Sequence, residues 1–319
     1  MDTMRALCML WIIAIWHIGR YLETGRTFVP YNEYTECITT GILATFTFLS
    51  GYFLGGGKIF CLKDALLFYK QRIKRFYLLF FISCLSIYVA CAIFHQEGIV
   101  SVRQLLFTLT GINCFIGDMP PTIWYFSMLI IFYLITPVVN YCKTNRNKII
   151  LSVSIEIIFV LWHICFHSDE RVILYFPVYC AALICSGAFT INSKYSLKVF
   201  ALGMFCSVAS IRVYVQFPQI FILNYLVGLS VLTVVSEISK LITRQWTERI
   251  FTILSYSSMC GYLFHRQFYG ALQILFGNFS WWFAYLTVIP LFLVASFVLQ
   301  VCYDRMVLHK DSFLRKRRY

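Results

Sequence analysis

Apolar runs long enough to cross a bilayer recur along the chain, at about 6–22, 37–54, 76–95, 122–142, 149–167, 171–190, 197–215, 218–239, 250–265 and 281–303. Short polar breaks separate them. At 1.5 Å rise per residue a helix of such length matches the hydrocarbon thickness, so the pattern predicts an all-α, polytopic integral membrane protein with about ten transmembrane helices. The longest break, about 96–121, holds a semi-apolar stretch, Leu105 to Leu109, too short to span, then Gly117, Pro120 and Pro121. It predicts a short helix that lies in the interface or folds back toward the core. No linker, repeat or low-complexity tract divides the sequence, so residues 1–319 read as one membrane domain ending in a basic tail over 304–319.

Composition agrees with the pattern. The chain is 60% hydrophobic and 13% charged, which excludes an ordinary soluble domain. The net charge of +13 raises nucleic acid as a partner, but its placement answers otherwise. With ten spans and both termini cytoplasmic, the outer segments hold only Arg20, Arg26, Arg103, Arg171, Arg212 and Arg266, and the rest of the 27 basic residues fall inside. The positive-inside rule is then met at every loop. The charge therefore predicts a lipid bilayer as partner and no nucleic acid, with Arg315-Lys316-Arg317-Arg318 meeting anionic headgroups. Most of the 13 cysteines lie within apolar runs and none has C-x-x-C spacing, so they read as small core residues, with no disulfide framework and no metal site. No small-residue cleavage site follows the first run, which predicts a retained first helix.

Any chemistry must come from the helices and short loops, and the polar residues within apolar runs are its candidates, because lipid cannot satisfy them. Arg5 and His17 bracket the first run about 18 Å apart along a helix axis, one near a membrane face and the other past the midplane. A neutral imidazole at that depth is either a general base or a core histidine bonded to a neighbouring helix. Glu156, His163 and His167 fall within about 40° of one another on one helix face and read as a proton relay, an acceptor contact or an interhelical polar contact. Arg72 and Arg75, three apart, are placed either for bidentate phosphate contacts or as ordinary cytoplasmic charge. Gly55-Gly56-Gly57-Lys58 lacks the full phosphate-loop pattern and reads as a flexible helix exit, while Ser50-Gly51 lacks a nucleophile elbow and reads as close helix packing.

Taken in order, Arg5 and His17, the segment Phe46 to Leu54, the cytoplasmic stretch Tyr69 to Tyr77, Trp124-Tyr125-Phe126-Ser127, and Gly261 to His265 resemble the membrane-bound acyltransferase family 3. Its members O-acylate carbohydrates and other cell-envelope molecules. The resemblance implies His17 as the catalytic residue, and Arg5, Arg72 and Arg75 as the residues that bind acyl-CoA. It matches Trp124 and His265 to further family positions; together with Glu156 and His163, to which the family pattern assigns nothing, they stand as possible substrate or proton-relay residues. The implied donor is acyl-CoA, with acetyl-CoA first, and no metal. The implied acceptor is a carbohydrate, in free or lipid-linked form, and the implied location is the bacterial cytoplasmic membrane. One position departs from the pattern. The family places ten residues between the arginine and the histidine, and here there are eleven. Twelve steps of 100° leave about 120° between Arg5 and His17, so on a regular helix they do not share a face. Either the helix is irregular between them, or Arg5 reaches round from a frayed end, or another residue takes its place. A transporter or flippase for a polysaccharide precursor or small polar substrate is the alternative from another class, although no internal repeat of the kind many carriers show is visible.

Overall fold

The structure is a computed structural model; it describes residues 1–18, 29–57, 59–94, 98–117, 120–186, 222–242, 244–277 and 280–307, with scattered positions between 202 and 216. The described residues are helical but for short turns and loops, with no strand among them. In chain order the helices are α1 (Asp2–Leu10), α2 (Glu33–Gly55), α3 (Leu62–Arg72), α4 (Leu78–Phe94), α5 (Val102–Thr110), α6 (Asn113–Ile116), α7 (Trp124–Tyr141), α8 (Asn145–Phe166), α9 (Glu170–Cys185), α10 (Ile222–Leu241), α11 (Gln245–Phe276), α12 (Trp281–Phe283) and α13 (Ile289–Val307). Among the described residues three wider π turns extend or join them, at Trp11–Trp16 after α1, Ile73–Tyr77 between α3 and α4, and Ala284–Val288 between α12 and α13. Among the described residues, five helical stretches are long and apolar enough to cross a membrane: Glu33–Gly55, Leu62–Ile93, Trp124–Tyr141, Asn145–Phe166 and Trp281–Val307. The run at 197–215 lies mostly outside the described residues, as do Lys58 and the tail arginines.

Several boundaries differ from the hydrophobic pattern. The pattern starts the third run at 76, yet helix begins at Leu62, where the Asp64 carboxylate accepts from the backbone N–H groups of Phe60 (2.9 Å) and Cys61 (3.2 Å). That cap starts a helix through a segment too basic to look like a span. The pattern ends the ninth run near 265, but α11 continues to Phe276 because Arg266, which reads as an exit, is buried. The break at 96–121 contains the short helix expected of it. Ser101 caps α5 at its start, Gly111 ends it at φ +76°, and the Ser127 hydroxyl donates to the Thr108 carbonyl at 3.0 Å.

The chain forms two compact units, one of residues 1–45 with 192–319 and the other of residues 46–191. In the first, α1 and the π turn that follows it pack on α11, with Met9 and Ile13 against Gly261, and Met4, Met9, Ile12 and Ile13 are all buried. A Cβ at Gly261 would lie 3.0 Å from Met9 Sδ and 3.1 Å from Ile13 Cδ1, so the absent side chain sets how closely the two helices approach. Gly41 and Ala44 of α2 meet Val231 and Gly228 of α10 in the same manner. Lipid tails are as apolar as leucine, so such small-residue contacts, and not hydrophobic burial, are what join helices in a bilayer.

In the second unit, Gly51 and Gly55 lie one turn apart on α2. Cβ atoms there would stand 2.5 Å and 2.2 Å from the carbonyl oxygens of Tyr179 and Leu183, one turn apart on α9. This is a small-xxx-small contact. The close packing expected at Gly51 is present, and Gly55 belongs to the same contact; of the run Gly55-Gly56-Gly57, Gly56 alone has open space around it. An aromatic core of Phe76, Phe80, Phe126, Phe132, Phe176 and Tyr179 fills the unit's interior, with the hydroxyls of Thr136 and Tyr179 bonded at 2.6 Å. None of the 13 cysteines is in a disulfide.

Candidate active site

His17 is set by the turn that precedes it. From Trp11 to Trp16 the helix widens, and the His17 amide donates to the carbonyl of Ile12, five residues back, at 2.8 Å. Such a turn accommodates one extra residue without rotating the residues beyond it. Twelve steps then turn the chain as eleven do in a regular helix, which returns His17 to within about 20° of Arg5. The additional residue between them is absorbed at this place.

Side chains hold the wide turn from several directions. The Trp11 indole donates to Thr39 Oγ1 of α2 at 2.9 Å, and Trp16 stacks on Tyr31 with ring centroids 3.9 Å apart. The Tyr269 hydroxyl of α11 donates to the Ile13 carbonyl at 3.3 Å, so a backbone acceptor inside the turn is satisfied, as an apolar surrounding requires.

His17 itself is buried and meets His265 of α11. Nδ1 of His17 lies 2.6 Å from Nε2 of His265, and Nδ1 of His265 lies 2.7 Å from the Tyr262 carbonyl. The two ring planes are within 11° of parallel and their centroids are 4.6 Å apart, the arrangement of rings joined edge to edge. His265 has no exposed surface. The structure thus joins two of the sequence's candidate residues, 248 positions apart. A bond to a neighbouring helix is compatible with His17 as a base and with His17 as a core residue; it adds a defined orientation to either.

Arg72 ends α3 and is half-buried, with its guanidinium carbon 5.5 Å from the Phe68 ring and its Nε buried without a hydrogen-bond partner among the described residues. Arg75 sits within the second π turn and is exposed. The segment is helical through both residues, Arg72 at the end of α3 and Arg75 in the wider turn that follows it. Arg5 is half-buried on α1, whose first residue, Asp2, accepts from Ser255 Oγ of α11 at 3.1 Å.

The other candidates are not brought together. Trp124 opens α7 with the Arg171 guanidinium 4.2 Å over its ring and Tyr175 alongside, and Arg171 is in turn paired with Asp169 (Nε to Oδ1, 2.7 Å). Glu156 of α8 is half-buried, and its Oε2 has no partner among the described residues. Nδ1 of His163 bonds the Ser168 carbonyl at 2.6 Å across the end of α8. His167 leaves the face expected for it, because it closes α8 in the left-handed conformation at φ +50°.

Two groupings are not legible in the sequence. One is Asp169 with Arg171; an acidic residue just before a helix, two positions from an arginine, is its only signal. The other is buried in the first unit, where Tyr256 donates to Asp304 Oδ2 (2.6 Å), Gln300 to Asp304 Oδ1 (3.0 Å) and Cys260 to Gln300 Oε1 (3.1 Å). The sequence pattern puts Asp304 in the basic tail, but α13 runs on to Val307 and buries it.

Compared with known proteins, the chain fits the acyltransferase domain that defines acyltransferase family 3 over residues 1–302. No curated protein and no solved structure matches it. With that match over nearly all of its length, and with helices apolar enough to cross a bilayer, the chain belongs to acyltransferase family 3 and is a multi-pass membrane enzyme that transfers acyl groups.

Proposed function

We propose that this enzyme transfers an acyl group, acetyl in the first instance, from acyl-CoA to a hydroxyl of an envelope glycan or its lipid-linked precursor in the bacterial cytoplasmic membrane. His17 is the general base. The acceptor oxygen attacks the thioester carbonyl as an imidazole nitrogen of His17 takes its proton. The carbon–sulfur bond then breaks, and the proton passes from His17 to the departing thiolate, giving an ester and free CoA. Arg72 and Arg75 bind the phosphates of the donor, for which guanidinium groups are suited by charge and by their paired N–H groups. Arg5 assists them.

The observation that carries this reading is the π turn at Trp11–Trp16, because it gives eleven intervening residues the phase of ten. It can be tested by changing the length of the turn. Deleting Ala14 is expected to leave a regular helix with the family's spacing and acyl transfer within about tenfold of wild type, whereas inserting an alanine after Ala14 swings His17 by about 100° and lowers transfer at least about 100-fold. An Ala14 deletion as inactive as the insertion contradicts the reading.

A second experiment concerns the donor. Arg72→Gln and Arg75→Gln are each expected to raise the KM for acetyl-CoA by about tenfold or more, the effect of losing one charged hydrogen bond, with kcat little changed. Arg72 should show the larger effect, since its buried Nε already lacks a partner among the described residues. An unchanged KM in the double variant removes both residues from donor binding.

A further inference from the structure

We infer that His265 is the positioning residue that fixes which nitrogen of His17 is basic, an inference that rests on the acyl-transfer reading. Each proton along the pair can be placed in turn. The Tyr262 carbonyl has none to give, so Nδ1 of His265, 2.7 Å from it, carries one. With His265 neutral, its Nε2 then has only a lone pair. That lone pair is 2.6 Å from Nδ1 of His17 and must receive a proton from it. His17, neutral in turn, carries its proton on Nδ1 and its lone pair on Nε2, across the ring from His265. The backbone carbonyl of Tyr262 on α11, with the Gly261 backbone beside it, thus determines, through two imidazoles, the atom of His17 that accepts the acceptor's proton.

The same chain of bonds says what His265 does not do. For His265 to conduct a proton away from His17, its own Nδ1 proton would have to leave toward the Tyr262 oxygen, and an amide carbonyl does not take up a proton at neutral pH. The relay is closed at that end. His265 orients, and the proton that His17 receives on Nε2 leaves from Nε2, to the CoA thiolate.

Orientation contributes to rate because the bond changes character during the reaction. In the resting state Nδ1–H of His17 donates to His265 as one neutral group to another. Once Nε2 has taken the acceptor's proton, His17 is an imidazolium and the same bond is charge-assisted, hence stronger. An interaction that strengthens as charge develops lowers the barrier. The acid that serves this purpose in hydrolase triads is replaced here by a neutral ring held by a carbonyl.

The test reads the tautomer directly. Protein labelled with ¹⁵N-histidine and reconstituted in bilayers is expected to show His17 with Nδ1 protonated and Nε2 bare. His265→Gln, whose carboxamide oxygen can take the place of the lost acceptor, should keep that tautomer and keep transfer within about tenfold of wild type. His265→Phe, similar in size but without an acceptor, should give mixed His17 tautomers and a kcat lower by about 10²–10³-fold, with the KM for acetyl-CoA unchanged. A wild-type His17 protonated on Nε2 overturns the inference, as does equal impairment in His265→Gln and His265→Phe, which marks a merely structural role. If His265→Phe does not accumulate, the wild-type spectrum and the His265→Gln variant decide. Retained transfer in His17→Ala overturns the acyl-transfer reading and this inference together, whereas loss in His17→Ala beside full activity in His265→Phe overturns this inference alone.

Discussion

His17→Ala is expected to lower the rate of ester formation by about 10³-fold, within the range that removal of a general base produces. The alanine variant also deprives His265 of the hydrogen bond at its Nε2, a buried loss of about 1–3 kcal/mol. Activity and stability therefore change together in that variant. His17→Asn separates them. Its side-chain amide can donate to His265 from near the place of Nδ1 yet cannot accept a proton from a hydroxyl, so it should keep the thermal stability of the wild type and lose the activity. Initial rates and thermal unfolding in one detergent, measured side by side for both variants, check this. An active His17→Asn enzyme removes His17 from the chemistry whatever its stability.

The second large effect concerns assembly. Gly55→Val is expected to destabilise the protein by about 2–3 kcal/mol or to prevent its accumulation, because the first carbon of any side chain at this position stands 2.2 Å from the Leu183 carbonyl. Backbone cannot yield as a flexible side chain can, so α2 and α9 must separate along the whole contact. Gly51→Val meets the Tyr179 carbonyl at 2.5 Å and should behave alike. Gly56→Ala, with nothing within 4 Å, should leave the thermal midpoint unchanged. Equal stability of all three variants contradicts the packing described for this pair of helices.

The fold class is legible in the sequence because lipid imposes it. A chain that must satisfy every backbone group within the bilayer writes helices as long apolar runs, and those runs survive as α2, α4, α7, α8 and α13. Their ends are less legible, for a reason visible at Arg266 and Asp304: a charge reads as an exit when only sequence is known, yet both residues are buried. The π turns are another matter. An inserted residue leaves the apolar pattern intact, and the only trace of the turn at Trp11–Trp16 is the spacing from Arg5 to His17, one residue longer than the family's. His17 can be singled out from its depth and its motif. Its partnership with His265 cannot, since no local pattern joins residues 248 positions apart. Periodicity also misleads at His167, which has the spacing of a helical face but turns out of α8 in a left-handed conformation.

In the proposed reaction acyl-CoA is the donor and a glycan hydroxyl the acceptor. Purified protein in liposomes, supplied with acetyl-CoA labelled in the acetyl group and with candidate envelope glycans or their lipid-linked precursors, tests it most directly. The label is expected to appear on the glycan as a base-labile ester, in amounts that depend on acetyl-CoA and vanish in His17→Asn. Movement of glycan across the bilayer with no dependence on acetyl-CoA and no ester formed would contradict the account.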